Sequence, residues 1–154
     1  MHVLQPGVFI WTNFPFGNPP DARSRPGPSP HVAYHLGSDA GLALLAYTSS
    51  GSWRGAGLAT PPGVVEFGID EAAVLNQKAF HLDLRTSAKV ALTAAWFPYW
   101  DRDNRGVVAV ADTAVQRRIL QAAKLLVNRL ETIEIRGVGS ATTTITRRPG
   151  APRP

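Results

Sequence analysis

Cysteine is absent from all 154 residues, which excludes disulfides, thiolate metal ligands and a thiol nucleophile. Long apolar runs are missing as well: no stretch approaches the roughly 18 apolar residues that a membrane-crossing helix needs. The first residues, Met1 to Trp11, have neither the basic start nor the extended apolar stretch of a secretory signal, so a cytoplasmic location is expected. Charged side chains are sparse, at 18% of the chain against 44% apolar, a balance that excludes a disordered polyelectrolyte. The length suits one domain with one buried core, and no internal repeat divides it.

What charge there is leans positive. The formal net charge is +5 and the isoelectric point near 10.2, values that would suit a nucleic-acid partner. The excess is unevenly placed, however. Through Ile135, Lys and Arg outnumber Asp and Glu only 12 to 11, and the remainder is Arg136, Arg147, Arg148 and Arg153. Residues 1–136 therefore read as the folded domain, and residues 137–154 as a basic, proline-containing tail expected to be partly disordered.

Local patterning predicts a mainly β chain. Val8 to Trp11 reads as a strand, followed from Asn13 to Pro30 by a loop too rich in Pro, Gly, Asn and Ser to continue it. His31 to Leu36 and Leu42 to Tyr47 flank Gly37-Ser38-Asp39-Ala40-Gly41, a hairpin signal. After a second irregular stretch, Val64 to Phe67, Phe80 to Arg85, Val90 to Phe97 and Val107 to Ala111 read as further strands. In the second of these, Phe80, Leu82 and Leu84 alternate with His81, Asp83 and Arg85 as in a half-buried strand, and the latter three are expected to form a structural polar cluster. From Thr113 to about Leu130 the period changes: Val115, Ile119, Ala122, Leu126 and Leu130 recur at steps of three and four, as on one face of a helix. Thr113 and Gln116 fit a capping box, with Asp112 near the positive end of the helix dipole. Short strands with long Gly- and Pro-rich connections favour a small barrel over a doubly wound sheet.

No metal site or cofactor is expected. Asp101 to Asp112 superficially resembles a calcium loop, but Arg105 takes a ligand position and the stretch after it reads as strand, so a hairpin turn is the expectation. His2, His35 and His81 are scattered.

An initial Gly-Val-Phe-Ile-Trp strand, a Pro-rich loop with Arg-x-Arg-Pro-Gly-Pro, a strand ending in Tyr-Thr-Ser-Ser, a later Leu-Asn-Gln and a closing amphipathic helix together resemble the PemK/MazF endoribonucleases over roughly residues 5 to 135. The resemblance implies an SH3-like small barrel with a C-terminal α-helix, a homodimer, and metal-independent cleavage of single-stranded RNA. It also implies a toxin of a type II toxin-antitoxin system that arrests growth. Its cognate antitoxin would be a short protein whose acidic, disordered segment lies across the RNA groove.

Such cleavage uses the RNA 2′-hydroxyl as nucleophile, so the protein must accept one proton, donate another to the leaving oxygen, and stabilise the developing charge. The resemblance places Thr48 and Ser49 against the scissile phosphate. The family's arginine ahead of the second strand has two counterparts here: Arg25, a bidentate phosphate clamp, and His31, reached by aligning on Pro26-Gly27-Pro28 and chemically a proton shuttle. A site using both, with Arg23 as an auxiliary phosphate contact, is the expectation. Val74 and Asn76 stand where some relatives carry a proton-transferring Arg and Asp. Asn76, Gln77 and Lys78 remain able to bind base edges or phosphate, and Phe14, Phe16 and Trp53 are candidate stacking surfaces for unpaired bases. Trp11 is expected to close the barrel as core. The alternative is a catalytically weakened relative that binds RNA or an antitoxin; a gyrase poison on the same fold ranks below it, because no Trp follows Trp100. An unrelated β-barrel binding module is the remaining reading.

Overall fold

A computed structural model describes residues 4–15, 26–27, 29–51, 53 and 59–126, and the backbone of 131–135 and 143–147. Its strands are β1 (Val8–Thr12), β2 (His31–Asp39), β3 (Leu42–Ser50), β4 (Val64–Phe67), β5 (Phe80–Ala91), β6 (Val107–Val110), β7 (Glu131–Ile135) and β8 (Thr143–Arg147). Two helices interrupt them: α1 (Ile69–Val74) and α2 (Thr113–Lys124). The chain is thus mainly β with a helix in its C-terminal third, as expected. Among the described residues no helix is long and apolar enough to cross a membrane.

The strands form one sheet in the order β6-β1-β2-β3-β5-β7-β8, with β4 beside the first half of β5. All pairings are antiparallel except that of β5 with β7. The sheet does not close: β6 and β8 are its ends. Ala40 and Gly41, with φ of 50° and 78°, make the two-residue turn between Asp39 and Leu42, so the hairpin strands run longer than their apolar cores suggested. Both φ values are positive, the geometry that matches strand twist and that glycine accepts without strain.

Both faces of the sheet carry buried apolar clusters among the described side chains. Along β1, Val8 and Ile10 enter one apolar cluster with Phe14, Leu45, Val90, Trp96 and Phe97, while Phe9 enters a second with Tyr34, Phe67, Phe80, Leu82, Leu84 and Ile119. In the second cluster the Phe67 and Phe80 rings stack at 4.7 Å, and Phe9 meets Phe80 edge-on at 5.5 Å. Val115, Ala122 and Leu126 of the predicted helix face pack against this cluster.

Several elements differ from expectation. The strand over Val90 to Phe97 is not formed: β5 runs from Phe80 to Ala91, and the next residues turn, with Trp96 and Phe97 N–H groups bonded to the Thr93 carbonyl at 3.1 and 2.9 Å. Both aromatics are fully buried, and a short buried apolar run has the same signature in a turn as in a strand. Asp112, rather than Thr113, is the N-cap of α2, its Oδ1 accepting from Val115 N at 2.8 Å. A carboxylate there both satisfies an orphan N–H and faces the positive end of the dipole. Gln116 instead donates its amide to the Ala111 carbonyl at 2.8 Å. The helix stops at Lys124, and residues 127–130 lie outside the described set. The turns over 98–106 lead into β6, which pairs with β1, so they form no hairpin. Helix α1 and strands β7 and β8 were not anticipated; β8 falls within the supposed tail, where Thr143, Thr144, Ile145 and Thr146 are β-branched.

His35 is buried in β2, beside a register shift between His35 and Gly37. Its Nδ1 lies 2.8 Å from the Gln5 carbonyl, which can only accept, so Nδ1 carries the proton and Nε2 accepts from the Ser38 hydroxyl at 2.8 Å. Burial pushes its pKa down, against the smaller opposing pull of hydrogen bonds to the Gln5 and Gly37 backbone.

Candidate functional site

Where β1, β2 and β3 reach the loop between α1 and β5, they enclose a cleft of about 590 Å³. Its walls bring together residues far apart in sequence: Trp11 from β1, His31 and Val32 from β2, Thr48 to Ser50 from β3, Asn76 to Ala79 from the loop, and Val108 from β6. Six sequence candidates, His31, Thr48, Ser49, Asn76, Gln77 and Lys78, therefore share one concavity.

The loop owes its shape to the end of α1. Leu75 N and Gln77 N bond the Ala72 carbonyl, each at 2.9 Å, and between them Asn76 adopts φ 57°. Asparagine tolerates that left-handed conformation better than most side chains, as at many helix C-termini. Asn76 Nδ2 then donates to the Val108 carbonyl at 3.0 Å, fastening the loop to the edge strand β6. The side chain chosen as a base reader is therefore also a strut. Gln77 differs: its amide nitrogen is buried yet has no acceptor among the described residues, an unsatisfied donor in the cleft wall.

Thr48 is only 7% exposed, and its hydroxyl donates to the Val32 carbonyl of the neighbouring strand. Its oxygen keeps lone pairs, so in this state Thr48 can accept from a ligand, and it donates to phosphate only after releasing Val32. Ser49 is half-buried, while His31 and Lys78 are exposed at the cleft. No carboxylate is among the described lining residues, so the cleft favours an anion over a cation.

The two other described candidates, Phe14 and Trp53, lie elsewhere. Phe14, expected to stack on bases, is 2% exposed and packs its ring 5.9 Å from that of Tyr47, which leaves no open face. Trp53 does not line the cleft: it stands edge-on to His81 at 5.4 Å, under the Arg85 guanidinium at 4.8 Å. Arg85 is held by Asp83 through bonds of 2.9 Å from Nε and Nη2, which raise its pKa further. Asp83 and Arg85 thus form the expected polar contact, whereas His81 bonds the Gly51 carbonyl at 3.1 Å. Arg23, Arg25 and Phe16 lie outside the described residues.

No family model, curated protein or solved structure matches this chain. The cleft therefore stands on its own chemistry. Sequence reasoning missed one wall of it. Trp11, expected in the core, is 37% exposed and lines the cleft, because both faces of β1 have neighbours and alternation alone cannot say which aromatic reaches the rim. Val108 and Ser50 carried no signal of their own.

Proposed function

We propose that the protein is a metal-independent endoribonuclease built on an SH3-like barrel, and that single-stranded RNA is cut in the cleft. The meeting of His31, Thr48, Ser49, Gln77 and Lys78 in one concavity, with no carboxylate among its described lining residues and an exposed tryptophan beside them, carries this reading. Lys78 would supply positive charge to the phosphate, Gln77 a ready hydrogen-bond donor, and Ser49 and Thr48 polar contacts to its oxygens. His31 would move the proton: the 2′-oxygen attacks the adjacent phosphorus, its proton passes to a base, the bond to the 5′-oxygen breaks, and that oxygen is protonated. The products are a 2′,3′-cyclic phosphate and a 5′-hydroxyl. Arg25 would serve as clamp, with Arg23 beside it. In the cell such an enzyme would be a toxin acting in the cytoplasm as a homodimer, silenced by an acidic antitoxin segment across the groove.

A specific feature favours a second reading, a cleft that binds RNA or an antitoxin without cutting. The Thr48 hydroxyl is engaged with Val32, and no carboxylate base is among the described lining residues. Incubating the purified protein with single-stranded RNA in EDTA and sequencing the ends separates the two. Cleavage with cyclic-phosphate ends is expected, reduced about a hundredfold or more in His31→Ala. Thr48→Ser should retain activity and Thr48→Val lose it. Intact RNA that is nevertheless retained by the protein would leave only the binding function, and RNA neither cut nor bound would remove both.

A further inference from the structure

The aromatic wall of the cleft continues past Trp11. Its ring meets Tyr99 edge-on, with centroids 6.2 Å apart and an interplanar angle of 82°. Over the Tyr99 ring lies the Arg102 guanidinium, 4.0 Å from the centroid. Arg102 is exposed and Tyr99 half-buried. The segment that carries them is tied down at both ends. Arg102 N bonds the Tyr99 carbonyl at 3.1 Å, Arg105 N the Arg102 carbonyl at 2.9 Å, and Arg105 Nη1 the Trp100 carbonyl at 2.8 Å. Trp11 N bonds the Gly106 carbonyl at 3.0 Å, which locks β1 to the same turns.

A guanidinium over a ring is steadied by it, and the planar Arg102 group is otherwise exposed to solvent. Unpaired bases stack on such planes as readily as on aromatic rings. The neighbouring charges argue against a phosphate clamp: Asp101 and Asp103 are exposed on the same turns and offset Arg102 and Arg105. What the surface suits is a flat, uncharged ligand that is already anchored nearby.

We propose that the Arg102 guanidinium, laid over the Tyr99 ring beside Trp11, forms a stacking platform for an unpaired nucleobase of single-stranded RNA, next to the nucleotide held in the cleft. This rests on the RNA reading given above and extends the bound length of the strand across the turns before β6. Arg102 acts through its plane, with its charge a secondary contribution.

The test measures binding of the full chain to fluorescent 2′-O-methyl RNA, which lacks the attacking hydroxyl, as a dinucleotide and as a longer single strand. Arg102→Ala should weaken binding of the longer strand about tenfold and leave the dinucleotide unchanged. Arg102→Lys keeps the charge and loses the plane, so it should bind as weakly as Arg102→Ala, and Tyr99→Phe should bind as the wild type does. Arg102 is exposed, so folding should survive, as circular dichroism would check. If Arg102→Lys restores full affinity, the contact is to phosphate and the platform is overturned. Tight wild-type binding that is indifferent to Arg102→Ala would place the strand elsewhere, again overturning the platform but leaving the RNA reading intact. No wild-type binding to either RNA would overturn both.

Discussion

Replacing Gly63 with alanine should be among the most damaging small changes in the protein. Gly63 has φ +88°, and a Cβ built there would stand 2.2, 2.6 and 2.9 Å from Leu126 Cδ1, Cγ and Cδ2. Three atoms of one side chain are too close, so a rotation of one methyl cannot relieve the collision. Leu126 itself is buried in the cluster beneath α2 and has no room to retreat. Positive φ in a residue with Cβ costs about 1–2 kcal/mol, and forcing a packed leucine aside about 1–3 kcal/mol more. The expected loss is therefore about 2–5 kcal/mol, a fall in Tm of about 5–15 °C for a chain of this size. Urea and thermal denaturation of Gly63→Ala, Leu126→Ala and the double variant would check it. Leu126→Ala alone should cost about 2–5 kcal/mol, but in the double variant the collision is gone. The combined loss should then fall short of the sum by about 1–3 kcal/mol. Additivity to within about 0.5 kcal/mol would refute the contact between the β4 turn and the end of α2.

His35 should make the fold acid-sensitive. Its folded pKa lies below the usual value of 6.5, so the unfolded chain takes up the proton first, and stability present above about pH 6.5 is lost as pH falls through the folded value. The urea midpoint should drop between about pH 7 and 5, and less steeply in His35→Gln; parallel slopes would exclude His35 as the cause. Asp112→Ala removes the cap of α2 and should cost about 1 kcal/mol, read by denaturation, whereas Thr113→Ala should be close to neutral. Asn76→Ala should lose about 1–2 kcal/mol, from the bond to Val108 and from φ 57°. Asn76→Gly should recover the backbone part of that loss yet still weaken the RNA binding proposed above, since one wall of the cleft loses its fastening; wild-type affinity would argue against the strut.

Local pattern made much of the sheet legible. The apolar run of β1, the Ala40-Gly41 hairpin, β4, the start of β5 and the helix face through Val115, Ile119 and Ala122 each follow from period and turn chemistry that are visible in a few residues. Val90 to Phe97 failed because a buried apolar run looks the same in a turn as in a strand, while burial on both faces of β1 concealed which aromatics would be core and which rim. Phe14 and Trp11 exchanged their expected places for that reason. β7 was hidden by extending the helical period toward Leu130, and β8 by its basic surroundings. At the site, residue types such as Thr48, Ser49 and Lys78 could be nominated one by one. That they share a wall with Trp11 and Val108 depends on pairing across the whole chain, and the engagement of Thr48 with Val32 depends on a strand register that no local window contains.

Pairing of Val8 with Val110 joins an early strand to one that is made about a hundred residues later. The cleft inherits that order, since its walls run from Trp11 of β1 to Val108 of β6. On the ribosome, a nascent chain carries His31 and Thr48, and later Lys78, before β6 is made to complete the pocket. The wall that Val108 forms, and with it the full cleft, exists only once β6 has emerged.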